Sequence, residues 1–196
     1  MVKFYKASIQ SFEYFSKKII ILFLLTLVVS VTVKSQNVNV TATIGTAAAS
    51  YNTLKKAFDE INAGTHKGVI TINIALSTDE GITPAVLNSN SADPASYSSI
   101  YIKPSATNIV VTGNPAAGFG VIELNGADNV TIDGSFNGTS SRDLTINNTG
   151  TSTNLANSCI RVATSALVSS ADDITIKNCI LNGNVTSGNA PGITNT

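Results

Sequence analysis

The chain has 196 residues with 12 basic and 12 acidic side chains, and only 12% of it is charged, against about 25% in an average soluble domain. Five basic residues (Lys3, Lys6, Lys17, Lys18, Lys34) but only one acidic residue, Glu13, fall in the first 35 positions, so the remainder carries 7 basic against 11 acidic groups. A mildly acidic chain rich in Thr, Asn, Ser and Gly argues against nucleic acid as a partner, and the absence of Trp removes the best stacking platform for sugar rings, although five Tyr remain.

Residues 1–35 read as a secretory signal peptide. Lys17-Lys18 precedes an apolar run from Ile19 to Val33 that ends at Val-Lys-Ser-Gln36, which matches a basic flank, an apolar core of roughly 15 residues and a small residue before a cut. A retained membrane anchor is the other reading, but a span wants roughly 20 predominantly apolar residues. Contact with a membrane is then expected only through this segment, during export.

Residues 36–68 read as an N-terminal cap. Val38, Val40, Ala42 and Ile44 alternate with polar residues as in a half-buried strand. Tyr51 to Asn62 then changes to a helical period, with Leu54, Ala57, Phe58 and Ile61 on one face. Asn52 or Ser50 is expected to cap its start, and Ala63-Gly64 its end. A lone amphipathic helix ahead of many strands suits the cover of an open apolar end; binding a partner is the alternative.

Residues 69–196 read as strands. Ile70, Ile72 and Ile74 alternate in a first one, Ser77 to Ser99 forms a long polar excursion, and Ser99 to Lys103 returns. A short phrase then recurs, as Asn108-Ile-Val-Val-Thr-Gly113, Asn129-Val-Thr-Ile-Asp-Gly134, Asp143-Leu-Thr-Ile-Asn-Asn148 and Asp173-Ile-Thr-Ile-Lys-Asn178, with starts separated by 21, 14 and 30 residues. Each copy is too small to bury its apolar face alone, so the copies must stack. Larger units align as well: Ile122-Glu-Leu with Ala127-Asp-Asn-Val-Thr-Ile against Ile160-Arg-Val with Ala171-Asp-Asp-Ile-Thr-Ile. The expected fold is all-β, a parallel β-helix (solenoid) with a short capping helix. Val130, Ile132, Ile146, Ile174 and Ile176 should form its core stack, with Thr131, Asp133, Thr145, Asn147, Thr175 and Lys177 facing out. Asn148, Asn178 and Asn184 could hydrogen-bond to one another in a ladder between coils about 4.8 Å apart, or simply tolerate left-handed turns. Cys159 and Cys179 could form a disulfide in an exported protein or remain reduced.

Asn129-Val-Thr-Ile-Asp-Gly134 and Asp173-Ile-Thr-Ile-Lys-Asn-Cys179 resemble coils of right-handed parallel β-helix proteins of the pectin-lyase-like superfamily. Thr43-Ile-Gly-Thr with Tyr51 to Gly64 is similar to the N-terminal segment of very large surface or secreted proteins of Bacteroidetes-type bacteria. The resemblance implies a right-handed solenoid, exported and continuing in longer relatives, so that the end at Thr196 reads as a truncation. It also raises the question of polysaccharide cleavage, which needs converging carboxylates or Ca²⁺ held by acidic oxygens. Asp172-Asp173 is the acidic pair that most invites such a role, yet adjacent strand residues point to opposite faces; Asp128 and Asp143 occupy similar turns. Arg142 and Arg161 could each bind a sugar carboxylate, but the superfamily's Gly-His-Gly and paired-Asp patterns are absent. The sole histidine, His66, is expected as an exposed loop residue.

No catalytic, cofactor or metal residue is therefore expected, and no cofactor. The reading favoured by the sequence is a non-catalytic exported scaffold with a stalk or adhesion role, its partners extracellular glycans or cell-surface components. The alternatives are a lyase or hydrolase whose catalytic coils lie beyond residue 196, and a carbohydrate-binding module using Tyr97 or Tyr101.

Overall fold

The structure is a computed structural model that describes residues 36–150, 157–164, 170–183 and, for the backbone alone, 193–195. The expected signal peptide and Asn184 lie outside the described residues. The chain divides between Lys34 and Ser35, and everything described belongs to the second unit.

That unit is mostly β. Strands β1 (Val38–Gly45) and β2 (Ala48–Tyr51) precede helix α1 (Leu54–Asn62), followed by β3 (His66–Ile74), β4 (Thr78–Asp79), β5 (Ala85–Asn88), β6 (Tyr97–Pro104), β7 (Ile109–Gly113) and β8 (Gly120–Asn125). The series continues with β9 (Val130–Asp133), β10 (Leu144–Asn148), β11 (Ser158–Ala163), β12 (Ile174–Lys177), β13 (Cys179–Gly183) and β14 (Ile193–Asn195). Three open sheets result, in the orders β12-β9-β6-β3-β1-β2, β13-β10-β7-β4 and β14-β11-β8-β5. From β3 onward each strand enters the next sheet and every third strand returns to the same one, always pairing in parallel.

This cycle explains the uneven phrase spacing. Phrases beginning at 129 and 173 are β9 and β12 of the first sheet, while those at 108 and 143 are β7 and β10 of the second. Two interleaved series read as one irregular series along the chain. The aligned larger units fall into register as well, with Ile160 beside Ile122 and Ile174 beside Val130.

Parity within each strand then builds the core. Ile70, Ile100, Val130 and Ile174 form one row of the first sheet, and Ile72, Ile102, Ile132 and Ile176 the next. Val130, Ile132 and Ile146 are fully buried, each contributing about 1.5–3 kcal/mol of apolar burial. Ile174 and Ile176 are only partly buried against this core, because β12 has a strand neighbour, β9, on one side alone among the described residues.

The amino-terminal end is built differently. β1 pairs antiparallel with both β2 and β3, and β2 was hidden in the sequence because its small residues carry no period. Helix α1 buries Leu54, Ala57, Phe58 and Ile61 and is tied to β5 through Asn62, whose side chain donates to Val86 O at 2.8 Å and accepts from Asn88 N at 2.9 Å. Its N-cap is Thr53, which accepts from Lys56 N, in place of the expected Asn52 or Ser50. Glu80, in the loop after β4, adds a second cap by accepting from Leu54 N at 3.0 Å and Lys55 N at 2.7 Å, where a carboxylate also meets the positive end of the helix dipole.

Four polar residues that lead into strands adopt left-handed backbone: Asn108 (φ 57°) before β7, Asn129 (54°) before β9, Asp173 (54°) before β12 and Asn178 (57°) before β13. Asn and Asp tolerate this region better than other side chains. Asn148 and Asn178 do not stack on one another, since the register of β10 with β13 sets Asn178 level with Asp143. Asn148 stands in register with Gly113 and Gly183, which carry no amide, and its own amide donates to Ser158 O at 2.9 Å and accepts from Gly150 N. Asn178 sits at a different corner, where a Cβ on Gly134 would lie 2.1 Å from its carbonyl oxygen; only glycine fits there.

Candidate functional site

The outward positions of the first sheet form a row, Thr71, Tyr101, Thr131 and Thr175. Beside it, Asp133 and Lys177 are register neighbours. Strand parity points Asp133 outward, but it is 1% exposed, which corrects the expectation of a solvated strip. Its carboxylate accepts from Tyr101 Oη at 2.9 Å, Asn178 Nδ2 at 2.9 Å and Ser135 N at 3.1 Å, with Lys177 Nζ at 3.2 Å. Burial alone would raise its pKa, but the hydrogen bonds from Asn178, Ser135, Tyr101 and Lys177 outweigh it and bring the carboxyl down to about 2. Burial, with the neighbouring Asp133 carboxylate, pushes the Tyr101 phenol up. All four groups around Asp133 lie outside β9, so they could not be seen from its own phrase.

The loop from β9 to β10 closes over this corner. Asn137 Oδ1 lies 2.6 Å from Thr139 Oγ1, 2.9 Å from Ser135 Oγ and 3.1 Å from Ser141 Oγ. Asp143 accepts from Ser141 Oγ at 2.6 Å and Phe136 N at 2.9 Å, and these bonds hold its carboxyl below the ordinary range.

A second polar cluster lies on the third sheet. Glu123 of β8 and Arg161 of β11 are register neighbours, joined by Nε at 2.8 Å and a terminal guanidinium nitrogen at 2.6 Å, both to Oε2. Glu123 Oε1 also accepts from Gly120 N. The guanidinium lies 5.3 Å from the centroid of the Phe119 ring, within reach of a cation–π contact. Arg161 is thus occupied by a carboxylate of its own chain, while Arg142 is exposed.

Other residues singled out from the sequence are dispersed. Asp172 and Asp173 are exposed; Asp173 is a left-handed corner, and the Asp172 N–H donates to Asp128 Oδ1 at 2.8 Å. Tyr97 is buried and donates its hydroxyl to Asn88 O at 2.6 Å, so it presents no ring for a ligand. His66 is also fully buried, contrary to expectation, because β3 begins with it and not after it. Its Nδ1 lies 2.6 Å from Thr46 O, a carbonyl that can only accept, so Nδ1 carries the proton and Nε2 faces Tyr51 Oη at 2.7 Å. Cys159 and Cys179 are free thiols, and burial raises both, that of Cys179 to about 11; such thiols are poor nucleophiles.

Among the described residues no group of three or more His, Cys, Asp or Glu side chains is placed to hold a metal ion, and no helix is long and apolar enough to cross a membrane. Compared with known protein families, characterised proteins and solved structures, the chain returns no match.

Proposed function

We propose that this chain is a segment of a right-handed parallel β-helix that serves as a non-catalytic scaffold in an exported bacterial surface or secreted protein, with a stalk or adhesion role. The observation that carries it is the use of the acidic groups. Asp133 and Glu123, the buried acids on the outer faces, each bind a cation one strand further along the same sheet, Lys177 and Arg161. Charge on these strands links neighbouring layers and is not left converging on a substrate. Incubation of the chain with acidic and neutral polysaccharides should release no reducing ends or unsaturated sugars, and measurable cleavage would overturn the reading.

Tyr101 favours a second reading, glycan attachment along the first sheet, since its ring lies in the outward row between Thr71 and Thr131. Binding on a glycan array that survives Tyr101→Ala would remove it.

A further inference from the structure

The chain contains three Asn-Gly steps, Asn125-Gly126, Asn137-Gly138 and Asn182-Gly183. At such a step no Cβ obstructs attack of the glycine nitrogen on the asparagine side-chain carbon, so what surrounds each step decides whether it reacts. Gly126 N–H is occupied by Ala163 O at 2.7 Å, and the Asn125 amide donates to Asn88 Oδ1. Asn182 and Gly183 are held in β13, in register with Asn147 and Asn148.

Asn137 and Gly138 are exposed, as Asn182 and Gly183 are, but they lie in a loop and not in a strand. Gly138 has φ 73° with open space where a Cβ would stand, and its N–H takes part in no hydrogen bond among the described residues. Asn137 Oδ1, in contrast, receives the Thr139 hydroxyl at 2.6 Å and shares the Thr139 N–H, at 3.1 Å, with Ser135 Oγ at 3.0 Å; Ser135 Oγ lies 2.9 Å from both Asn137 Oδ1 and Ser141 Oγ. Ser141 Oγ is also near, but it has one proton, and the Asp143 carboxylate, which only accepts, lies closer at 2.6 Å. The two Thr139 donors are aimed where negative charge develops if the side-chain carbonyl is attacked, as in an oxyanion hole.

We propose that Asn137-Gly138 is a self-modification site. Gly138 N forms a bond to Asn137 Cγ and gives its proton to solvent. The Cγ–Nδ2 bond breaks, and the nitrogen leaves as ammonia with a proton taken from water. Water then opens the resulting succinimide at either carbonyl, leaving aspartate or isoaspartate at position 137, with no oxidant or reductant consumed. The new carboxylate stands beside Asp143 in a loop whose Thr139 carbonyl accepts from Asn178 Nδ2 at 3.2 Å. Conversion thus weakens the link between this loop and β13.

The folded full chain, kept at neutral pH and physiological temperature and sampled by peptide mass mapping, should convert Asn137 ahead of Asn125 and Asn182. In urea the three sites should converge to similar rates. Thr139→Val removes the hydroxyl donor but keeps the N–H, and should slow Asn137 about fivefold, as expected for one exposed hydrogen bond. Conversion of Asn125 or Asn182 as fast as Asn137 in the folded chain would overturn the proposal. So would an unchanged Asn137 rate in a Thr139→Val chain that keeps native circular dichroism. The three-site comparison needs no substitution, so it decides the matter even where that variant fails to fold.

Discussion

Between β1 and β3 the strands run antiparallel and a helix is packed against them, whereas from β3 onward all pairing is parallel and the sheets recur in a fixed cycle. The amino-terminal region is held by single, unrepeated contacts: Glu80 on the helix start, Asn62 on β5, and His66 between Thr46 and Tyr51. The cyclic region is held by rows of similar side chains in register. One region therefore depends on particular partners, and the other on an aliphatic side chain recurring at every second position.

The sharpest way to break that comparison is to place a charge in a row. Ile132→Asp puts an unpaired carboxylate in a fully buried position, a cost of several kcal/mol against a total stability of about 5–15 kcal/mol, and β-type circular dichroism should be lost. Ile176→Asp, partly buried in β12, should cost clearly less, and equal losses would show that the last described row is as closed as the inner ones. In the amino-terminal region, Phe58→Ala opens a cavity under the helix and should cost about 3–5 kcal/mol, read from urea midpoints.

Acid should separate the two regions. The Asp133 pKa falls from 3.8 to about 2 on folding, so its contribution, about 2 kcal/mol, is present above about pH 4 and lost as pH drops through about 2. Glu80 has the opposite sign. Burial raises its pKa above 4.5 despite the backbone hydrogen bonds from Lys55 and Leu54, so its stabilising share is present below that value and lost as pH rises through the folded pKa. Denaturation from pH 2 to pH 7 should therefore show an acid loss that Asp133→Asn reduces, and Glu80→Gln should flatten the loss toward neutral pH. The smallest effect is expected from Lys177→Ala, at most about 1 kcal/mol and screened by salt. Lys177 is 51% exposed, and Asp133 keeps Tyr101, Asn178 and Ser135 as partners.

Legibility from sequence cuts across this division and follows local period against contacts made by the fold. The rows through Val130 and Ile132, and the buried face of α1, could be read from period alone, because parity within one strand or helix decides them. Asp133, Tyr97 and His66 could not, because their burial depends on chain segments placed against them by the fold. Glu80 sits in a polar excursion with no period, and nothing nearby in the sequence marks it as a helix cap. The phrases themselves were visible, but their assignment to two sheets was not, since spacing along the chain mixes the two series.

The left-handed corners at Asn108, Asn129, Asp173 and Asn178 have a consequence for change over time. Each redirects the backbone at the mouth of a strand, so the path into the strand is set there and not by whatever precedes it. Second-sheet strands β13 and β7 are reached from the preceding strand through one residue, Asn178, and through four, Ser105 to Asn108, yet both align with β10. Insertions ahead of such a residue are thus uncoupled from the packing behind it, and a lineage can try new surface loops without renegotiating its interior.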